Sequence, residues 1–445
     1  MKKQFFSLVA AVFALVLFTT PSTTLAAPED WETNLLIRER AQFFNNYDLN
    51  DDTDDNNAAH GNRWELNTLG SLTAKRKFND NLTLNLNAKF IDITEEHWGG
   101  PTDHFSQSDL YQGNLEYKAG SVNAVLGRQQ LVYGDQRLLG HLGWKDVSRS
   151  FDGGKFVFKN DNFQLDIFAV RPADIVSMGT APAGTSSGES LVTSEDIRLV
   201  GLYSTVKFAE KSGVDIYHIN WTVSDSATAA AGRDVDTCGF RVFFNESGVD
   251  GSAEYVVQTG DWSPTMDQDA SAMAVKLGYT AGESTKVRFG VEYNNGSGDD
   301  GKDADKHKTF VFPFHTNHMH YGEMDLFSWG NMEDLSFSLK ASMPSGLTLS
   351  ANYHMFELDE AVDDWLNVVG VATVNPVYGP GVGTYKETEA GTELDLKVAY
   401  KPASIKGLTL ALNYSTFDPG DAVEERNGGA ADKADFSYFL MAYAF

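Results

Sequence analysis

The strongest constraint on the fold of this chain is a two-residue alternation of apolar and polar side chains that recurs along most of its length. Apolar residues occupy every second position in the segments Leu82–Phe90, Leu335–Ala341 and Leu394–Tyr400, and mostly polar residues lie between them. Successive side chains of a β-strand point to opposite faces of the sheet, so this period gives one apolar and one polar face. The sequence therefore predicts an all-β protein.

The connections between these segments are short and long in turn. Eight short turns are predicted near Asn79–Asn81, Lys118–Ser121, Asn160–Asn162, Glu210–Gly213, Asn245–Gly251, Ala281–Ser284, Pro344–Gly346 and Pro402–Lys406. Nine long loops are predicted at Asn45–Gly61, Glu95–Ser106, Tyr133–Gly153, Pro172–Glu195, Ser224–Asp234, Asp261–Asp267, Gly296–Asn331, Glu357–Lys386 and Asp418–Lys433. This order is typical of bacterial outer-membrane barrels, which have short periplasmic turns and longer extracellular loops. We therefore expect a transmembrane antiparallel up-and-down β-barrel of about 18 strands in the outer membrane.

The N-terminal segment has the parts of a secretory signal. Lys2 and Lys3 precede an apolar run over residues 5–18, and Ala26 is a small residue suited to cleavage. We predict a signal peptide over residues 1–26 and one barrel domain over residues 27–445. No later segment reaches the ~20 consecutive apolar residues that a membrane-spanning helix needs.

The composition excludes some classes of function. The 62 acidic residues outnumber the 35 Lys and Arg residues and give a formal charge of -27. Nucleic acids bind basic surfaces, so a nucleic-acid partner is excluded. The single cysteine, Cys238, cannot form an intramolecular disulfide. The sequence lacks the nucleophile elbow or paired-acid spacing of a hydrolase, so we expect neither an enzyme nor a cofactor.

The last predicted strand, Asp435–Phe445, ends the chain on a phenylalanine, with Tyr443, Met441 and Phe439 on the same face. It resembles the terminal signature by which outer-membrane barrels are recognised for assembly. We therefore expect Phe445 to contact the barrel assembly machinery. Outer-membrane lipid and lipopolysaccharide are the expected surroundings of the barrel.

The segment Val125–Phe158 interrupts the regular pattern with a long loop rich in Gly, Arg and Asp. Long ordered inserts of this kind usually carry function. Its pattern resembles the outer-membrane alginate export family at Gly127, Arg128, Gln129, Tyr133, Gly134, Asp135, Arg137, Trp144, Arg149, Phe151 and Asp152.

The resemblance implies an 18-stranded barrel with an arginine-rich constriction that passes a polyuronate chain. Arg128, Arg137 and Arg149 would be constriction arginines, and Asp135 and Asp152 would be paired acids that fix their geometry. Simple alternation places Arg128 on the lipid-facing side of its strand, together with Val122, Ala124 and Leu126. A lumen position for Arg128 therefore requires a bulge near Gly127 or a different register.

Strand parity predicts a lumen lined by both signs of charge. The expected lumen-facing cations are Arg38, Arg40, Arg63, Lys89, Arg241, Arg288, Lys340 and Lys397, and the expected anions are Glu65, Asp166, Glu292, Glu393 and Asp395. Guanidinium groups suit an anionic polymer because their planar donors form two hydrogen bonds with a carboxylate. The alternative for each arginine is a salt-bridged wall residue, since confined charges usually pair.

Two kinds of loop cluster are also candidates for binding. Asp48–Asp55 and Asp299–Asp305 are rich in carboxylates, but neither has the glycine and terminal glutamate of a full calcium loop. His315, His318 and His320 could hold a transition metal, but three histidines without a regular backbone are a weak signal, and an exposed polar loop is the favoured interpretation.

The sequence therefore predicts a channel for an anionic polysaccharide such as alginate, or for smaller acidic solutes, with Arg128, Arg137, Arg149, Asp135, Asp152, Arg38, Arg40, Arg63 and Arg241 as pore residues. The sequence is also compatible with two other functions. A general diffusion porin would show weak ion selectivity, and a surface binding or adhesion barrel would act through its long loops.

Overall fold

The computed structural model describes residues 31–47, 49, 62–97, 102–173, 197–224, 232–312, 314–366, 385–429 and 431–445. The predicted signal peptide lies outside these described residues, as do most of the predicted Asn45–Gly61 and Pro172–Glu195 loops. In the part of the chain that is described, no helix is long and apolar enough to span a membrane.

The described residues form twenty strands and one short α-helix. The strands are β1 (Trp31–Asn45), β2 (Arg63–Lys77), β3 (Leu82–His97), β4 (Thr102–Ala119), β5 (Val122–Gln129), β6 (Phe151–Lys159), β7 (Phe163–Pro172), β8 (Ile197–Ala209), β9 (Ser212–Val223), β10 (Asp234–Glu246), β11 (Val249–Ser263), β12 (Met266–Gln268), β13 (Ala270–Ala281), β14 (Lys286–Gly296), β15 (Lys306–His307), β16 (Met332–Ser342), β17 (Leu347–Glu357), β18 (Glu389–Tyr400), β19 (Leu408–Pro419) and β20 (Ala434–Ala444). The helix is α1 (Asp421–Arg426).

Eighteen of these strands form a closed antiparallel barrel, and β12 and β15 are short strands within loops. Each barrel strand pairs with its neighbour along the chain, and β1 pairs with β20 to close the sheet. Because the sheet is closed, no strand edge is left unpaired toward lipid. An unsatisfied backbone group there would cost roughly several kcal/mol. The predicted barrel is thus confirmed.

Side chains alternate between the two faces of the barrel wall as predicted. Leu126, Phe156 and Phe289 are large apolar residues that are at least 59 % exposed on the outer face. Asn67 and Asp166 are polar residues that are buried on the inner face. Apolar loop residues such as Leu139, Phe314 and Phe327 are also buried, because the loops fold inside the barrel and form a core there.

The eight predicted short turns all lie between consecutive barrel strands. At their tips, glycines adopt backbone angles that other residues rarely take, as at Gly120 (φ 59°) and Gly346 (φ 87°). The chain ends on the same side as these turns, where Asn34 Nδ2 donates to the carbonyl oxygen of Phe445 (2.9 Å). Both ends of the barrel sheet are therefore on the side expected to be periplasmic.

The prediction of a long loop at Glu95–Ser106 was wrong. The β3 strand continues to His97 and β4 begins at Thr102, with Glu95 paired to Asp103. Polar side chains on both faces mask the two-residue period here, because strands that extend beyond the apolar band can be solvated on both sides. The predicted Asp261–Asp267 loop is also shorter, since β11 extends to Ser263 and pairs with β12.

A new charge should destabilise the barrel much more on the outer face of the wall than on the inner face at the same height. Phe90 points outward on β3 and is 49 % exposed, whereas Gln107 of β4 pairs with the buried Ile91 and faces inward. We expect Phe90→Lys to lower the free energy of unfolding by about 2–4 kcal/mol, because lipid cannot solvate the ammonium group. Gln107→Lys is the control and should cost much less. Denaturant unfolding of both refolded variants in bilayers tests this, and equal losses would contradict the assignment of faces.

Candidate functional site in the barrel lumen

Two loops fold into the barrel and bind each other. We call residues 130–150, between β5 and β6, inner loop A, and residues 308–331, between β15 and β16, inner loop B. Hydrogen bonds between them join Gly140 N to Phe314 O (2.9 Å), Thr316 N to Gln136 O (2.9 Å), Leu142 N to Thr316 Oγ1 (3.2 Å), Arg149 Nη1 to His315 O (2.7 Å) and His320 Nε2 to Asp135 O (2.7 Å). The two loops therefore behave as one body across the lumen.

Asp146 fixes inner loop A to the wall at β1 and β2. Its carboxylate accepts hydrogen bonds from Arg38 (2.6 Å), Arg40 (2.7 Å) and Asn67 Nδ2 (2.9 Å). Both arginines also donate to the carbonyl oxygen of Trp144, and Arg40 lies over the Trp144 ring at 4.0 Å. Burial opposes ionisation of Asp146, but the two guanidinium groups lower its pKa below the usual range. Arg38 and Arg40 thus share the single carboxylate of Asp146.

Asp135 fixes the same loop to the wall at β10 and β13. It forms ion pairs with Arg241 (2.6 Å) and with Lys276. Arg241 also pairs with Asp215 of β9 (2.6 Å). Burial would raise the pKa of Asp135, but Lys276 and Arg241 lower it. The predicted pore residues Asp135 and Arg241 are therefore brought together as an ion pair.

Arg137 lies between inner loop B and the wall. It forms an ion pair with Glu292 of β14 and donates to the Tyr321 hydroxyl (2.8 Å). The Arg137 side chain is 2 % exposed. Its charge is thus neutralised inside the protein.

His318 links inner loop B to inner loop A and to carboxylates of its own loop. Its ring stacks on Trp144 with centroids 4.3 Å apart, and its nitrogens contact Asp325 (2.7 Å) and Glu323 (3.5 Å). Glu323 in turn pairs with Lys397 of β18 (2.8 Å). Burial alone would lower the pKa of His318, but Asp325 and Glu323 raise it to about 9. His318 is therefore a cation at neutral pH.

Arg149 and Lys89 differ from the other lumen cations because no carboxylate within hydrogen-bond distance is seen for either among the described residues. Arg149 is 5 % exposed and donates to the carbonyl oxygen of His315. Burial lowers the pKa of Arg149 to about 9, which leaves it charged at neutral pH. Lys89 of β3 donates to Ser148 Oγ (2.6 Å) and lies 3.8 Å from the Tyr111 ring centroid. Arg149 belongs to inner loop A, and Lys89 contacts this loop through Ser148.

Arg128 takes part in a different contact. Its guanidinium group meets the Asp152 carboxylate with two hydrogen bonds (2.8 and 3.0 Å) and contacts Asp109 (3.4 Å). The pairing of β4 with β5 runs without a bulge in β5, so Arg128 keeps the outward parity of Leu126. Gly127 has a positive φ of 119°, and a β-carbon there would lie 2.4 Å from the Gly113 carbonyl oxygen. Arg128 and Asp152 thus pair with each other at the end of their strands.

Arg63 begins β2 and belongs to a separate group. It contacts Glu65 (3.1 Å) and Glu95 (3.2 Å) and lies 3.7 Å from the centroid of the Phe44 ring. Arg63 is therefore a wall residue that pairs with one acid on its own strand and one on the next strand.

A second arc of the wall, from β16 to β18, is acidic. Asp334, Glu393 and Asp395 are each at most 2 % exposed there. His354 contacts Asp334 (3.0 Å), and Glu393 accepts a hydrogen bond from the backbone N–H of Met324 in inner loop B (2.9 Å). The lumen therefore has one group of cations, at Arg38, Arg40, Lys89 and Arg149, and a group of buried carboxylates on the other arc, where His354 and Lys397 also lie.

The loop clusters do not form metal sites within the described part of the chain, where no three His, Cys, Asp or Glu side chains converge on one point. The Asp299 carboxylate accepts hydrogen bonds from the backbone N–H groups of Gly301 (2.8 Å) and Lys308 (3.1 Å). His318 and His320 bind different partners, as described above. The cluster Asp48–Asp55 lies almost wholly outside the described residues.

Sequence reasoning found the wall cations and some of their partners, including Asp135 and Glu292, but missed other carboxylates of the inner loops. Asp146, Glu323 and Asp325 were not selected, because loop carboxylates carry no strand parity from which their direction could be deduced. Asp146 had one available signal, its position two residues after Trp144 within the motif segment.

The His318 contacts predict a pH-dependent link between the loops. A pKa raised from about 6.5 to about 9 gives stability that is complete below pH 6.5 and is lost as the pH rises through 9. We expect His318→Gln to lower the free energy of unfolding by about 1.5–3 kcal/mol at pH 6 and by little at pH 10. Unfolding of the refolded barrel at both pH values measures the difference.

His315→Gln provides the control for this prediction. Burial lowers the pKa of His315 well below the usual value, so any pH dependence of its replacement has the opposite sign, with a smaller cost at pH 6 than at pH 10. A pH-independent effect of His318→Gln would show that its charge does not hold the loops.

Solved structures similar to this barrel include three proteins of Pseudomonas aeruginosa, among them the outer membrane protein OprD. OpdQ is 12% identical, with a TM-score of 0.60 over 94% of this chain and 98% of that chain. OccD3 (OpdP) is 14% identical, with a TM-score of 0.58 over 95% and 93%. OprD is 11% identical, with a TM-score of 0.58 over 94% of both chains. These similarities show the fold.

Among curated proteins, no sequence matches this chain significantly. The family described as alginate export, in contrast, matches residues 32–436, which is nearly the whole barrel. The chain therefore belongs to the alginate export family and is an outer-membrane β-barrel channel.

Proposed function

We propose that this channel passes an anionic polysaccharide such as alginate, or a smaller acidic solute, along the arc of the lumen formed by Arg38, Arg40, Lys89 and Arg149. The observation that carries the proposal is that these four cations face two carboxylates, Asp146 and Asp109, and Asp109 lies opposite Lys89 in the sheet. Asp146 is the carboxylate that Arg38 and Arg40 share, whereas Lys89 and Arg149 donate to a hydroxyl and a carbonyl oxygen.

The chemistry of these groups fits a polyuronate. A guanidinium or ammonium group binds a carboxylate through charge-assisted hydrogen bonds worth about 1.5–3 kcal/mol each. Several such groups along a path give many weak sites, so a charged chain can bind and still leave. Arg149 is the one residue among Arg128, Arg137 and Arg149 for which the described structure gives no carboxylate within hydrogen-bond distance.

The carboxylates at β16–β18 help to define which side of the lumen the proposed route follows. Low-dielectric walls concentrate the field of the charges that line a channel. An anion is attracted to the basic arc, whereas the buried Asp334, Glu393 and Asp395 offer it no positive charge. The route proposed here therefore follows β1–β3 and inner loop A.

The first test is the ion selectivity of the refolded protein in a planar bilayer. We expect the reversal potential in a salt gradient to show anion preference, and oligomannuronate to block the current where a neutral oligosaccharide of equal length does not. Cation preference without block would favour a general diffusion porin. Absence of any conductance would favour a binding or adhesion role for the loops.

The second test removes charge from the basic arc. Lys89→Gln/Arg149→Gln should weaken block by oligomannuronate about 100- to 10,000-fold and reduce anion preference, because two charge-assisted contacts are lost. The matched control is Arg288→Gln/Lys340→Gln, which removes two neighbouring cations from another part of the wall. Lys89→Gln alone repeats the test without altering the buried Arg149. Equal effects of the two double variants would contradict a specific basic route.

A further inference from the structure

Two arginines lie side by side on the outer surface of the barrel, at the end of the wall that bears the long loops. Val170 of β7 pairs with Leu199 of β8, so the next residue along β7, Arg171, is the neighbour of Arg198. Both are exposed, and both alternate with buried residues, which places them on the outward face. We call Arg171 and Arg198 the outer arginine pair.

The outer arginine pair has no neutralising partner within the described structure. No side-chain hydrogen bond or ion pair to another described residue is seen for either arginine. The nearest acid in register is Asp152, which pairs with Arg171 across β6 and β7, but its carboxylate is engaged by Arg128 through two hydrogen bonds. Like charges directly opposite each other destabilise a sheet, so this arrangement favours a bound anion.

The height of the pair on the wall matches the level of lipid phosphates. Ile167 of β7 and Leu202 of β8 are 45% and 46% exposed on the outward face. The outward residues of β8 from Val200 to Phe208 are apolar apart from Ser204, a row of about 26 Å along the strand, and Arg198 is the next outward residue toward the long loops. The apolar band of an outer-membrane barrel is about 25 Å tall in total. The pair therefore stands at its extracellular edge.

We propose that the outer arginine pair binds the phosphate groups of lipopolysaccharide in the outer leaflet of the membrane. Arginine matches phosphate oxygens with two parallel hydrogen bonds, and two adjacent guanidinium groups can hold one phosphate from both sides. The alkyl chains of the same lipid would cover Val200 and Leu202, which are 52% and 46% exposed directly below Arg198. One amphipathic molecule thus satisfies both the charged and the apolar parts of this surface.

The neighbouring sector shows that this basic character is local. On β10, Asp234 and Asp236 occupy outward positions at the same end, and Asp234 pairs with Asp261 of β11. The pairing of Arg198 with Thr222, and of Thr222 with Asp234, sets the boundary between the two sectors. A phosphate bound at the acidic sector would need a bridging cation, whereas one bound at the outer arginine pair does not.

The experiment compares binding of two lipids to the refolded full barrel in detergent. The probes are a deep-rough lipopolysaccharide with intact lipid A phosphates and the same lipid after dephosphorylation, each measured with EDTA present. We expect the phosphorylated lipid to bind about tenfold more tightly, and Arg171→Glu/Arg198→Glu to abolish this difference. Inorganic phosphate alone should not compete at millimolar concentration, because it lacks the apolar part of the ligand.

Lys207→Glu/Lys211→Glu is the matched control, because it makes the same charge change near the short-turn end of β8. It should bind the phosphorylated lipid as the wild type does. Arg171→Gln/Arg198→Gln repeats the test if the glutamate variant fails to fold, which electrophoretic mobility without heating reveals. Equal binding of both lipids, unchanged binding by both arginine variants, or complete loss of wild-type binding in EDTA would overturn the proposal.

Discussion

The shared ion pair of Asp146 with Arg38 and Arg40 holds inner loop A inside the barrel, and the other lumen contacts depend on that position. A buried carboxylate is costly unless charge and hydrogen bonds compensate for its lost hydration. Asp146 receives both from the wall, with Asn67 as a third donor. Once the loop is there, Asp135, Arg137 and Trp144 reach their own partners on other parts of the wall and on inner loop B.

Pairing inside the lumen also determines which charges remain to act on a solute. The sequence offers many cations at lumen positions, and the structure neutralises most of those that resemble constriction residues. Glu292 neutralises Arg137, Asp215 and Asp135 bind Arg241, and Asp152 binds Arg128. In the proposed function, selectivity follows from the charges left after this pairing, and the number of arginines in a motif does not give that balance.

Strand parity was enough to predict the barrel, its short turns and the inward direction of Arg38, Arg40, Lys89 and Glu292, because a closed wall leaves each side chain two choices. The same rule placed Arg128 on the outward parity, which the register of β4 and β5 retains. Loop residues have no such rule. Contacts such as His318 with Trp144 depend on how two loops meet in space, and no local pattern in a single sequence specifies that meeting.

The contacts that fill the lumen join residues far apart in the chain, with separations of 108 for Arg38 and Asp146, 155 for Arg137 and Glu292, and 166 for Arg149 and His315. Their wall partners come from strands between β1 and β18, which become neighbours in one cylinder when β20 pairs with β1. Contacts of such long range form slowly, since chain entropy must be lost before they can stabilise anything. The complete interior therefore assembles late, after the distant strands that carry these wall partners have come together.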